Sequence, residues 1–169
     1  NGEWVLVSPH RNHRPWLGAT ESPTETSPAS HDSNCPLCPT NARANGDTNP
    51  NYEYTHVFTN DFGALTPTLS DDACIDPDEL FEAEAAIGAA RVICFSPKHN
   101  KTLPELSINE IAEVVNTWQQ QFVDLSSSYS CIHIFENKGE VMGCSQPHPH
   151  GQIWAHNHRS TEIQVEEER

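Results

Sequence analysis

Residues 147–154 read PHPHGQIW and combine paired histidines with the alternation of a β-strand. His148, His150 and Gln152 are spaced by two, so their side chains project to one face if the segment is extended. The prolines on both sides of His148 fix the backbone, which suits side chains that must be held in one orientation. A lone histidine is usually an ordinary core or surface residue, whereas two at this spacing indicate a functional site. The strand itself is expected to begin near Gln152.

Several short strands are predicted elsewhere in the chain. Hydrophobic runs that favour strands occupy residues 4–7, 56–59, 91–96 and 131–135. Their order lacks the strand–helix–strand alternation that a parallel sheet requires. The pattern therefore predicts an α+β fold with a mostly antiparallel sheet.

One long helix is predicted between the strands at 91–96 and 131–135. Ser107 and Glu110 form a capping box, with the serine as N-cap and the glutamate at the third helical position. Behind the box, apolar residues recur at helical spacing and form one stripe, namely Ile111, Val114, Val115, Trp118, Phe122 and Leu125. We interpret this stripe as core-facing rather than as part of a cofactor site.

The long segment 9–51 is rich in Pro, Ser, Thr and Asn, which predicts a loop. A loop of this length in a compact domain is usually functional or fixed by a ligand. Cys35 and Cys38 lie within it at metal-ligand spacing, whereas Cys94 and Cys131 lie in strands, where cysteine usually acts as a small hydrophobe. The six cysteines therefore favour reduced thiols with one metal site over a disulfide framework.

The charge balance excludes several classes of partner. Nine basic and 24 acidic side chains give a formal net charge of −15, which opposes binding to nucleic acids and to anionic membrane surfaces. No apolar run approaches a membrane span and no signal-peptide pattern opens the sequence, so we expect a soluble, cytoplasmic protein. The 169 residues begin at Asn1 and end in a helix-favouring run, which suggests a piece of a longer polypeptide.

The motifs together resemble one family. Residues 136–139 (ENKG), 143–145 (GCS) and 147–154 resemble galactose-1-phosphate uridylyltransferase, a family of the histidine-triad superfamily. Further segments resemble it in the same order, at residues 4–11, 14–16, 35–38, 57–62 and 102–107. The resemblance implies a half-barrel, histidine-triad-like sheet with one long packed helix and a zinc-pinned loop. Residues 1–169 would form the N-terminal half, with the second half absent.

The resemblance also implies a ping-pong reaction. UDP-glucose would give its uridylyl group to His150 and release glucose 1-phosphate, after which galactose 1-phosphate would take the group. A neutral imidazole offers one lone pair while its other nitrogen donates to a carbonyl. Gln152 replaces the third histidine of related hydrolases, and its amide would hydrogen-bond the phosphoryl oxygens, which favours transfer over hydrolysis. Cys144 is a less favoured candidate for the nucleophile.

Further substrate contacts follow from the matched positions. Gly143 and Ser145 would contact the phosphates of the donor, with Cys144 between them, and Asn137 would contact its phosphate or ribose. Asn60 and Asp61 would hold the nucleoside. Arg11 and Arg14 would reach the substrate across a dimer interface. Full-length protein would be a homodimer that binds UDP-glucose and galactose 1-phosphate.

Two metal sites are implied by the family. Structural zinc would be held by the two thiolates and two imidazoles of Cys35, Cys38, His99 and His148, a closed tetrahedral set. Glu166 matches a carboxylate ligand of a second metal, iron or zinc, whose histidine ligands belong to the family's second half. A solvated acidic helix explains Glu166 equally well.

Two other functions remain open. The same His-x-His-x-Gln arrangement serves dinucleotide-polyphosphate phosphorylases, although the cysteine pair and residues 60–62 argue against that activity. Alternatively, the chain is a non-catalytic, zinc-containing fragment that binds nucleotides without forming a covalent adduct.

Overall fold

The structure is a computed structural model of the whole chain. It describes residues 3–9, 11, 29–68, 83–139, 142–144 and 146–168. Arg14 and Ser145 lie outside these described residues.

Four strands, two α-helices and a short 3-10 helix make up the described elements. The strands are β1 (His56–Thr59), β2 (Gly88–Cys94), β3 (Cys131–Phe135) and β4 (His150–His156). The helices are α1 (Ile108–Ser126) and α2 (Thr161–Glu167), and the 3-10 turn spans Leu103–Glu105.

The sheet has the strand order β1-β2-β4-β3, and all three pairings are antiparallel. The predicted α+β fold with an antiparallel sheet is thus confirmed. β2 and β4 occupy the centre, where Ile93 and Ile153 are fully buried. β-branched residues at such positions suit a strand that is covered on that face.

Helix α1 covers one face of the sheet and starts as predicted. The Ser107 hydroxyl accepts from the Glu110 amide at 3.3 Å, and the Glu110 carboxylate accepts from the Ser107 amide at 2.8 Å. Val114 and Leu125 are buried, and they join Ile93 in the main hydrophobic core. Since helical stability comes mostly from such packing, the cap fixes where α1 starts and the core fixes its orientation.

The prediction that the whole apolar stripe of α1 faces the core is wrong. Val114 and Leu125 are buried and Trp118 packs against the core from its edge, but Ile111, Val115 and Phe122 are 38%, 38% and 51% exposed. The stripe is wider than the strip of helix that touches this sheet. Residues on its outer edge therefore remain in solvent in this chain.

The strand predicted at residues 4–7 is also absent. This segment has no regular secondary structure, and Val5 and Val7 are 81% and 71% exposed. Trp4 contacts the C-terminal part of the chain. Its amide donates to the Thr161 hydroxyl at 3.4 Å, and its ring packs edge-on against His158. A strand needs a neighbouring backbone to pair with, and none of the described residues pairs with this segment.

The cysteine-bearing loop packs beside the other face of the sheet, in a second buried cluster. This cluster consists of Cys35, Leu37, Cys38, Tyr52, Val92 and Cys94. Asn49 donates to the Pro36 and Cys38 carbonyls at 2.8 and 3.0 Å, and the Tyr52 hydroxyl donates to the Leu37 carbonyl at 2.6 Å. Buried amides and hydroxyls satisfied in this way hold the loop in one conformation.

The described cysteines are all reduced, in agreement with the prediction of free thiols. Within the described part of the chain, no helix is both long and apolar enough to cross a membrane.

Candidate active site and metal centre

The face of the sheet opposite α1 carries the residues of the histidine motif. Strand alternation places His150, Gln152 and Trp154 of β4 on this face. In the register of the sheet, Gln152 lies opposite Val92 of β2 and Phe135 of β3. His150 and Gln152 therefore share one face of a central strand, as their spacing predicts, whereas His148 precedes the strand.

A cavity of about 190 Å³ opens on this face. It brings together six residues that the sequence singled out, namely Arg11, Asn137, Gly143, Cys144, His150 and Gln152. Gly143 has a φ of +76°, a conformation that other residues rarely adopt, so a glycine suits this turn of the wall. An arginine, an asparagine and a histidine around one cavity suit a phosphate-bearing ligand.

The imidazole of His150 is oriented by the backbone just before it. Its Nδ1 lies 2.8 Å from the His148 carbonyl oxygen. A carbonyl only accepts hydrogen bonds, so we assign the proton to Nδ1, which leaves the lone pair on Nε2. This tautomer is the one that a nucleophilic histidine requires.

The four predicted metal ligands form one buried cluster. The ligand atoms of Cys35, Cys38, His99 and His148 lie within 4.8 Å of one another. The Cys38 sulfur is 3.5 Å from His99 Nδ1 and 3.4 Å from His148 Nδ1. Around a tetrahedral ion with ordinary metal–sulfur and metal–nitrogen bonds, a sulfur–nitrogen edge measures about 3.6 Å. The cluster therefore fits a four-coordinate metal ion.

Burial favours the neutral forms of the side chains in this cluster. Burial lowers the pKa of His148 to about 4 and lowers that of His99, so both imidazoles are neutral near pH 7 and ready to bind metal. Burial and the neighbouring Cys38 raise the pKa of the Cys35 thiol to about 12. A thiolate at this position thus needs a cation beside it, which a divalent ion would supply.

The metal cluster and His150 are joined through a short stretch of backbone. His148 is fully buried, and its Nε2 donates to the Ser96 carbonyl at 2.9 Å. The Phe95 amide reaches the Pro149 carbonyl at 3.5 Å, which ties the same stretch to the end of β2. A metal that fixes His148 therefore also fixes the carbonyl that orients His150.

Three other predicted residues, Asn60, Asp61 and Glu166, lie away from the cavity. Asn60 and Asp61 follow β1 and do not line the cavity; the Asn60 side chain accepts from the Phe62 amide at 3.0 Å. Asp61 is 3.9 Å from Arg43, and its side chain is 12% exposed. Glu166 is exposed on α2 and is not part of the metal cluster.

Two aromatic residues of the cavity were missed in the sequence. Phe135 and Trp154 line it, with ring centroids 5.5 Å apart and nearly perpendicular planes. The Trp154 indole N–H is buried without a hydrogen-bond partner among the described residues. Alternation from His150 through Gln152 puts Trp154 on the same face, so its position in the motif was the signal.

Comparisons with known proteins identify the family. The model of the galactose-1-phosphate uridyl transferase N-terminal domain matches residues 1–160. Galactose-1-phosphate uridylyltransferase of Haemophilus influenzae is 50% identical over 98% of this chain and 47% of its own length. A probable galactose-1-phosphate uridylyltransferase of Drosophila melanogaster is 48% identical over 100% of this chain and 48% of its own length.

A solved structure described as that of a uridylyltransferase shares the fold. It superposes with a TM-score of 0.70 at 22% identity and covers 99% of this chain and 47% of the solved one. The chain thus spans about half the length of the curated relatives that it matches. The chain belongs to the galactose-1-phosphate uridylyltransferase family, in which it corresponds to the N-terminal domain.

Proposed function

We propose that this chain is the nucleophile-bearing half of a UDP-glucose–hexose-1-phosphate uridylyltransferase. The enzyme would exchange UMP between UDP-glucose and galactose 1-phosphate in galactose metabolism, as the names of its relatives suggest. The observation that carries the proposal is the orientation of His150, whose Nδ1 is held by the His148 carbonyl at the edge of a cavity that contains Arg11 and Asn137.

The proposed chemistry proceeds in two displacements. His150 Nε2 attacks the α-phosphorus of UDP-glucose, and the bond to the bridging oxygen breaks, so that its electron pair leaves with glucose 1-phosphate. A phosphate oxygen of galactose 1-phosphate then attacks the uridylyl-histidine, and the phosphorus–nitrogen bond breaks. Both leaving groups are weakly basic, so the reaction depends on positioning and charge stabilisation more than on acid catalysis.

The residues around the cavity would stabilise the charge that moves. Arg11 would neutralise phosphate oxygens, and the Gln152 amide would donate to the oxygens of the transferred group. Asn137, Gly143 and Ser145 would contact the phosphates or ribose of the donor. The family's second arginine, Arg14, would act with Arg11, and Asn60 and Asp61 would hold the nucleoside.

We propose zinc as the ion held by Cys35, Cys38, His99 and His148. Two sulfur and two imidazole ligands suit Zn²⁺, and four protein ligands leave no open position, so the ion would be structural. Reduced thiols fit a cytoplasmic location. Glu166 would ligate a second metal, iron or zinc, only with histidines supplied from outside residues 1–169, and the full-length protein would be a homodimer.

The decisive experiment is intact-protein mass spectrometry after incubation with UDP-glucose. A mass increase of one uridylyl group that disappears in His150→Gly would support the reaction class, the donor and the nucleophile. Cys144→Ser is the matched control, because it changes the other nucleophilic side chain of the cavity and should keep the adduct.

Two results would favour the other candidate functions. An adduct formed from a diadenosine polyphosphate, and not from UDP-glucose, would indicate a phosphorylase-like nucleotidyltransferase. Binding of UDP-glucose by the folded, zinc-loaded chain without any adduct would indicate a non-catalytic nucleotide-binding fragment.

A further inference from the structure

A nearly buried arginine lies close to Asp61, beyond the residues assigned above. Arg43 belongs to a short turn in which Ala42 and Thr48 form a β-bridge and the Arg43 amide donates to the Asp47 carbonyl at 2.7 Å. Its side chain is only 11% exposed. Arginine is seldom buried to this extent unless its charge is used.

The guanidinium of Arg43 lies near two carboxylates and one aromatic ring. One terminal nitrogen is 2.6 Å from the Asp47 carboxylate and 3.9 Å from Asp61 Oδ1. The central carbon lies 4.4 Å above the centroid of the Phe58 ring, a cation–π arrangement. We call Arg43, Asp47, Phe58 and Asp61 the arginine clamp.

The guanidinium of Arg43 does not use all of its hydrogen-bond donors in these contacts. Arg43 Nε is buried and has no hydrogen-bond partner within the described part of the chain. Asp47 is 67% exposed, so its ion pair with Arg43 contributes little stability. Stability alone is thus a weak reason to bury this cation, because desolvation opposes it.

The register of the sheet relates the clamp to the candidate active site. Phe58 of β1 lies opposite Val92 of β2, and Val92 lies opposite Gln152 of β4. Two strand spacings separate Phe58 from Gln152, about 10 Å on one face of the sheet. A base and ribose extend about this far from their phosphate, so the clamp lies where the nucleoside of a nucleotide held at His150 would end.

We propose that Arg43 is a positioning residue for the nucleoside end of the site, which holds the Asp61 carboxylate and the Phe58 ring in place for ribose and base. The proposal rests on the proposed function, because it assumes that a nucleotide binds with its phosphate at His150. It adds a role for a residue that makes no contact with the cavity.

The electrostatics of Asp61 agree with this role. Burial raises the pKa of Asp61, and Arg43 opposes the rise, as do the backbone amides of Ala44 and Asn45. Among the described residues, Asp47 also affects this carboxylate and raises its pKa. Without Arg43, Asp61 would take up a proton at a higher pH and lose its capacity to accept from both ribose hydroxyls.

The test compares ligands that do and do not contain a nucleoside. UMP and inorganic phosphate are titrated into the zinc-loaded chain and its Arg43→Gln variant by calorimetry. We expect UMP affinity to fall about tenfold in the variant, the size of a lost charge-assisted contact, while phosphate affinity stays within about twofold. Arg43→Lys, which keeps the charge without the planar fork, should lie between the two.

Two measurements separate positioning from a loss of structure. In an Asp61→Asn background, Arg43→Gln should lower UMP affinity less than it does in the unaltered chain, because the part of its effect that passes through Asp61 is already lost. In Arg43→Gln, UMP affinity should also decline at a higher pH than in the unaltered chain as the pH is lowered. If Arg43→Gln does not fold, Arg43→Lys carries the same comparison.

The proposed function and the positioning role of Arg43 would be overturned by different results. If the unaltered chain binds no UMP, the proposed function of this half fails. If it binds UMP and the Arg43 variants bind equally well, or lose phosphate and UMP affinity in parallel, only the positioning role of Arg43 is overturned.

Discussion

Gly151 separates His150 from Gln152, and the close packing around it leaves no room for a side chain. A Cβ atom at this position would lie 3.0 Å from the Phe95 ring and 3.2 Å from the Phe135 carbonyl oxygen. The Phe95 ring is 2% exposed and belongs to the main core, so it has little freedom to move. The glycine of the motif is therefore required by the packing around β4.

Gly151→Ala should destabilise the chain by about 1–3 kcal/mol, the usual cost of overpacking a core. Urea unfolding of the two proteins would measure this. Because the strain arises against the Phe95 ring, adding Phe95→Leu should recover part of the loss, so that the double variant is less destabilised than the sum of the single ones. Full additivity would mean that the clash lies elsewhere.

At the level of elements, the cap of α1 links stability to pH. The Ser107 amide and hydroxyl, together with Lys98, lower the pKa of Glu110 to about 2 from its ordinary 4.5. The carboxylate form therefore stabilises the folded chain above about pH 4.5, and this contribution is lost as the pH falls towards 2.

Glu110→Gln should consequently flatten the decline of stability between pH 4.5 and pH 2, and Ser107→Ala should cost about 1 kcal/mol at neutral pH. Glu113→Gln is the matched control, since Glu113 is exposed on the same helix outside the cap. Thermal unfolding across this pH range measures both effects. An equal flattening in the Glu113 variant would contradict the assignment to the cap.

The elements also show which features of the fold can be predicted from the sequence. The Ser107 cap and the strand at β3 were predictable because their signals are local. The predictions of a strand at residues 4–7 and of a fully buried α1 stripe were wrong. Hydrophobic periodicity reveals an apolar face, but it does not reveal whether the chain supplies a partner that covers this face. Arg43 escaped notice for a related reason, since loop residues brought together by the fold leave no period in the sequence.

For the whole molecule, the metal cluster connects the long loop to the candidate active site. Cys35 and Cys38 belong to the loop, and His99 and His148 flank β2 and β4. Verified removal of the proposed zinc should therefore lower the melting temperature strongly and disorder the loop, because the bonds through the ion that join the loop to the segments beside β2 and β4 are lost. Differential scanning calorimetry with metal analysis of the same samples measures this.

Cysteine substitutions distinguish the effect of losing the ion from the effect of losing a buried thiol. Cys35→Ser should release the metal and, by loosening His148, also weaken the orientation of His150, so that uridylyl transfer falls together with stability. Cys131→Ser alters a thiol that is also buried but lies in β3, outside the cluster, and should keep the metal and the adduct. A chain that keeps its melting temperature after verified metal loss would show that core packing alone holds the loop, and His150 would then depend on the Ser96 and Pro149 contacts rather than on the metal.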